Sequence, residues 1–180
     1  MKNYCMKKIF ILGSFLASLT VSAQNNAEDT IARPAITAIG KPDGEKNSII
    51  IDKEGSRLIS ADKKIELVFP EGAITTKTTI SIQPVTNTSI DGIGKGYDLE
   101  PAGTQFQIPV QLIFHYTDKD MEDGSPQLMA IASQNEKGIW YVLSEIKLDT
   151  VSKTIAGSIK HFSAWALTWG FSLRPEKTRA

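Results

Sequence analysis

Over residues 64–69 the side chains alternate: Ile65, Leu67 and Phe69 fall on one face of an extended chain, and Lys64, Glu66 and Val68 on the other. Successive side chains of a strand point to opposite faces, whereas one face of a helix collects residues three and four apart. This run therefore predicts a half-buried strand. Residues 109–116 repeat the pattern, with Val110, Leu112 and Phe114 opposite Gln111, Ile113 and His115. Residues 78–82 alternate as well. Further β-rich runs lie at 48–51, 127–132, 139–143, 146–148 and 154–159, with a last one over 161–171. Pro70, Gly72 and Pro84 punctuate the runs, and Gly92, Gly94 and Gly96 predict a long loop between strands. Many short strands parted by turn residues imply an all-β fold, an antiparallel β-sandwich in a single domain.

The N-terminus speaks to compartment. Lys2, Lys7 and Lys8 precede an apolar run over residues 9–21, closed by Val21-Ser22-Ala23-Gln24. That is the layout of a signal peptide over residues 1–23. The run is shorter than the roughly 20 apolar residues that span a bilayer, and it contains Gly13, Ser14 and Ser18, so the mature chain is expected to hold no membrane span. Cys5, the only cysteine, departs with the peptide, which leaves no disulfide. Of 180 residues, 157 remain, enough for one domain stabilised by its core alone. Residues 24–46 are polar and broken by Pro34, Gly40, Pro42 and Gly44, which predicts a flexible linker before a domain over 47–180.

Charge narrows the possible partners. Removing three lysines turns 20 basic and 20 acidic residues into 17 against 20, and no basic block survives. Nucleic acid and anionic membrane surfaces are not expected as partners, because both need a basic footprint. Two histidines and no mature cysteine leave too few ligands for a zinc site, and no metal or cofactor is expected. Asp118, Asp120, Glu122 and Asp123 alternate as in a calcium loop. Gly124, however, stands at the seventh place instead of the sixth, and Met129 at the twelfth where glutamate belongs. These carboxylates read as a solvated acidic loop. His115 reads as a structural or surface histidine, and Trp165 and Trp169 as core or edge packing.

His161-Phe162-Ser163 is different. In a strand, side chains two apart share a face at about 7 Å, so the His161 imidazole can approach the Ser163 hydroxyl, which stands beside the Phe162 carbonyl carbon. Histidine can act as a base at neutral pH, and serine becomes a nucleophile once a base takes its proton. His161, Phe162 and Ser163 are thus candidate catalytic residues for one reaction, cleavage of the bond between Phe162 and Ser163.

Three segments carry a family likeness: Phe69-Pro70-Glu71-Gly72-Ala73-Ile74, Phe106-Gln107-Ile108-Pro109-Val110-Gln111-Leu112, and His161-Phe162-Ser163. In this order they resemble the ZU-five domain, a β-sandwich of ankyrins, netrin receptors, zonula occludens scaffolds and death-domain signalling proteins, found in similar form in bacterial surface proteins. The likeness covers residues 55–167. It implies a non-enzymatic interaction or structural module and, in some members, self-cleavage between the phenylalanine and serine of the tripeptide. With the leader, the expected function is an exported module of the cell envelope or cell surface, located in the periplasm, on the outer surface or outside the cell. Its expected partner is another protein or an envelope component. One alternative is a self-processing domain; another is a carbohydrate-binding module, which requires Trp140, Tyr141, Trp165 or Trp169 to gather in solvent.

Overall fold

The computed structural model describes residues 36–121 and 124–170, and the backbone of Arg174–Pro175. All belong to the unit Arg33–Ala180, whereas Met1–Ala32, with the expected signal peptide, lies outside the described residues. The strands are β1 (Asn47–Ile51), β2 (Ser56–Ile59), β3 (Ile65–Phe69), β4 (Thr78–Val85), β5 (Gly92–Glu100), β6 (Gln105–His115), β7 (Met129–Gln134), β8 (Trp140–Val142), β9 (Ile146–Asp149), β10 (Thr154–His161), β11 (Ala164–Trp169) and β12 (Arg174–Pro175). One short helix, α1 (Asp118–Met121), and a single 3-10 turn, Pro126–Leu128, interrupt them.

Two sheets pack face to face, in the orders β1-β4-β5-β11-β7-β8-β12 and β2-β3-β6-β10-β9. The fold is an antiparallel β-sandwich, with β8 and β12 as its one parallel pair among the described residues. The alternation in the sequence explains the packing. Leu67 stands opposite Leu112 across β3 and β6, and Ile65 opposite Phe114. That parity meets Ile80, Ile82, Leu99, Ile131 and Leu167 of the other sheet in one core. Each such buried side chain contributes about 1.5–3 kcal/mol. The opposite parity faces outward, where Glu66 Oε1 lies 2.5 Å from Arg57 Nε and Glu66 Oε2 3.7 Å from His115 Nε2.

Three expectations change. The glycine run expected as a loop is instead the first half of β5, paired to β11. Between Ile93 and Gly96 this strand holds two residues more than β11 does between Leu167 and Ala166. Gly94 takes φ 60° within that bulge, a conformation that costs glycine nothing. The run over 161–171 is likewise not one strand. It breaks at Phe162 and Ser163, where the chain leaves the five-stranded sheet for the seven-stranded one.

The third change concerns the expected flexible linker. Its described part, residues 36–46, is tied to the seven-stranded sheet ahead of residue 47. Thr37 N donates to Gly138 O, and Thr37 Oγ1 accepts from Trp140 Nε1 and Gln134 Nε2, each at 2.9 Å. Further along, Thr86 N donates to Lys41 O and Asp43 N to Pro84 O, both at 2.8 Å. Gly40 packs so closely on Thr86 O that no side-chain carbon fits. The polar and glycine residues of this stretch therefore permit close backbone pairing. Among the described residues no helix is long and apolar enough to cross a membrane.

Candidate functional site

The tripeptide sits where β10 gives way to β11, and three phenylalanines meet there. Phe69, the last residue of β3, contacts Phe106 at 6.0 Å and Phe162 at 6.2 Å between ring centroids, while Phe106 and Phe162 lie 4.8 Å apart. All three pairs are edge-to-face, the arrangement that aromatic quadrupoles favour. Each ring comes from a different one of the three segments that carry the family likeness. The backbones of the first two segments join as well, since Gln107 N donates to Ala73 O at 3.3 Å. The turn at 70–73 closes with Ala73 N donating to Pro70 O, and Gly72 occupies its third place at φ 78°, where a side chain would be strained. Phe106 belongs to a stretch of β6 that slips out of register with β10 between the pairs Ile159–Val110 and His161–Gln105. Pro109, without an N–H, falls in that stretch.

The end of β5 and the loop after it clamp the chain crossing. Phe162 N donates to Thr104 O at 3.0 Å, Gly103 N to Phe162 O at 3.3 Å, and Leu99 N to Ser163 O at 3.2 Å. His161 Nδ1 lies 3.4 Å from Phe162 O, and its ring stacks at 5.9 Å beside that of Trp165. Ser163 Oγ donates to the carbonyl of Ala164 at 3.1 Å. The sequence led us to expect strand geometry with the imidazole directed at the Ser163 hydroxyl. In the structure the imidazole lies beside the Phe162 carbonyl oxygen, while the hydroxyl is turned to the next carbonyl along the chain. One backbone N–H, that of Gly103, donates to Phe162 O, and the imidazole nitrogen Nδ1 lies beside the same oxygen. Attack on the Phe162 carbon requires Ser163 to swing its hydroxyl away from Ala164 O. The contributions of Gly103, Thr104 and Leu99 are backbone contacts, and no pattern of side chains announces them.

Other residues singled out from the sequence have structural partners. Asp118 Oδ2 lies 2.6 Å from Lys153 Nζ, and Asp120 Oδ2 lies 2.7 Å from Lys64 Nζ. Burial alone would raise the Asp120 carboxyl, but hydrogen bonds from Lys64 and Thr117 outweigh it and hold the group below the ordinary carboxylate range. Glu122 and Asp123 lie outside the described residues. Trp140 and Trp165 are 5% and 1% exposed, so neither contributes to a solvent-facing aromatic platform. Among the described residues, no three His, Cys, Asp or Glu side chains gather as metal ligands. No protein-family model and no curated protein matches the chain.

Proposed function

We propose that this chain is an exported, non-enzymatic structural and interaction module of the cell envelope or cell surface, of ZU-five type, with another protein or an envelope component as its partner. One observation carries the reading. The three segments that resemble the family are distant in sequence, yet Phe69, Phe106 and Phe162 make one edge-to-face cluster. Short motifs that serve a common physical purpose, plugging the core where the chain changes sheets, form a stronger likeness than motifs scattered over a surface. Protein cross-linking in intact producing cells, with the N-terminus read by mass spectrometry, tests the proposal. The expected result is a mature chain beginning at Gln24 and cross-linked to an envelope component. A chain beginning at Met1 and confined to the cytoplasm overturns it.

Self-processing is a second reading, favoured by the Phe162 carbonyl oxygen lying between Gly103 N and His161 Nδ1. In this reading Ser163 Oγ attacks the Phe162 carbon, the peptide nitrogen leaves protonated, and water opens the resulting ester. Denaturing mass spectrometry then shows a fragment starting at Ser163, absent in Ser163→Ala and slower to appear in His161→Ala. A chain that stays intact on prolonged incubation with hydroxylamine removes this reading.

A further inference from the structure

The five-stranded sheet is incomplete along one edge. On one side β10 pairs with β6 as far as His161, but on the other β9 covers only residues 154–157 and ends with Ile146 opposite Gly157. Before Ile146 the chain comes across from the other sheet, where Leu143 N donates to Ile131 O at 2.8 Å. Residues 158–161 therefore have no strand on that side among the described residues. A groove of about 920 Å³ runs along them. At roughly 3.3 Å for each residue, the open edge is about 13 Å long.

Alternation fixes what this edge presents. Tyr116 N donates to Lys153 O at 3.0 Å, so residues 155, 157 and 159 bond to β6, and residues 154, 156 and 158 turn their backbone groups to the opposite side. The N–H and C=O of Ser158, an exposed residue, thus point into the groove. An extended chain is the partner that answers such a pair, with a donor and an acceptor of its own. The two faces of the sheet then select its side chains, because residues directly opposite each other share a face. On the outer face Lys160 of β10 and Lys147 of β9 are exposed, and neither has an ion-pair partner among the described residues. One carboxylate, Glu145, lines the groove against these two lysines. On the core-facing side Leu143 is half-buried and Ile146 is 40% exposed. A residue opposite Ser158 would face outward between the two lysines, its neighbour opposite Ile159 inward toward Leu143, and the next outward again beside Lys160.

Resting on the reading of this chain as an interaction module, we propose that the open edge of β10 takes an extended acidic segment of a partner protein. The segment adds as a strand in line with β9 and carries acidic, apolar and acidic residues in succession opposite Ser158, Ile159 and Lys160. Amide chemical-shift titrations of the purified protein test it with three capped peptides: Thr-Glu-Val-Glu-Thr, the same peptide N-methylated at both glutamates, and Thr-Lys-Val-Lys-Thr. The expected result is saturable shifts from the first peptide at residues 143–147 and 158–161. N-methylation removes the ladder donors and keeps the charge, and should weaken binding at least about fivefold. Because it alters only the peptide, no failure of folding can mimic its effect. The lysine peptide should bind about tenfold more weakly, and Lys160→Glu should weaken the glutamate peptide about threefold, the side chain being exposed. No saturable shift from the glutamate peptide, or shifts confined elsewhere, overturns the edge as a docking site. Equal binding of the N-methylated peptide overturns strand addition, and equal binding of the lysine peptide overturns the acidic partner. A chain that is exported and cross-linked in cells yet shows no such shift keeps the envelope reading and loses this edge.

Discussion

The two ends of the sandwich use similar side chains to opposite effect. β6 reaches both, with Phe106 at one end and Phe114 at the other, roughly 25 Å apart at strand rise. Around Phe106 the rings of Phe69 and Phe162 close the core. Around Phe114 the neighbours are Tyr97 and Tyr116, and a cavity remains. Connectivity explains part of the difference. The chain passes between the sheets after β1, β3, β5, β6, β8 and β10. The segments joining β3 to β4, β5 to β6 and β10 to β11 meet around the phenylalanine cluster, so backbone itself roofs that end. At the other end lie the turns of the β2–β3, β4–β5 and β9–β10 hairpins and a single crossing, from β6 through α1 to β7, whose Asp120 borders the gap left between the sheets. Side-chain chemistry explains the rest. A phenylalanine ring can be wedged into a dry corner without a polar group to satisfy, whereas a tyrosine hydroxyl needs a partner. Tyr97 has Asp62 for that purpose, and Tyr116 is left without one among the described residues.

If one end is filled and the other is not, removing a ring should cost unequal amounts. Phe162→Ala is expected to lower stability by about 3–5 kcal/mol. Phe114→Ala, whose ring already borders empty space, should fall near or below the bottom of that range, because less packing is lost. Urea denaturation of both variants gives the comparison, and equal losses would erase the distinction between the ends. Less drastic is a double-mutant cycle on Phe106 and Phe162, for which the 4.8 Å edge-to-face contact predicts a coupling of about 0.5–1.5 kcal/mol. A coupling of zero would mean that the rings fill space independently and that the cluster is no cooperative plug.

The smallest expected effect comes from Asp98, which pairs with Ala164 beside the chain crossing. Burial first, and then Glu100, push its carboxyl up against the opposing pull of Lys46. A raised pKa in the folded state means that the ionised form costs stability. That cost is absent below the unfolded-chain value near 3.9, where both states hold the proton, and complete above the folded-state pKa. Asp98→Asn should therefore raise the melting temperature by about 1–2 °C at pH 7, the group being half exposed, and leave it unchanged at pH 3. A gain of equal size at both pH values would show that charge is not the cause.

Much of this could be read from the chain in advance, but not all. Ile65, Leu67 and Phe69, like Val110, Leu112 and Phe114, face the core as their alternation predicted. The glycines at 92, 94 and 96 misled because a residue that permits a loop equally permits a bulge inside a strand. What decided between them was pairing with β11, some seventy residues further along. The tripeptide was visible as a candidate, but its geometry was not. A strand rule placed His161 and Ser163 on one face, and the change of sheet at Phe162 turned the imidazole to the carbonyl and the hydroxyl to Ala164.

Local alternation by itself determined that this chain forms strands and which side chains they bury, because side-chain direction in a strand depends only on position within a few residues. The choice of sheet for each strand, the meeting of Phe69 with Phe106 and Phe162, and the open end with its buried Tyr116 hydroxyl were decided by tertiary structure alone. Each rests on contacts between segments tens of residues apart, and no local rule reports which distant backbone will arrive to fill a space or leave it empty.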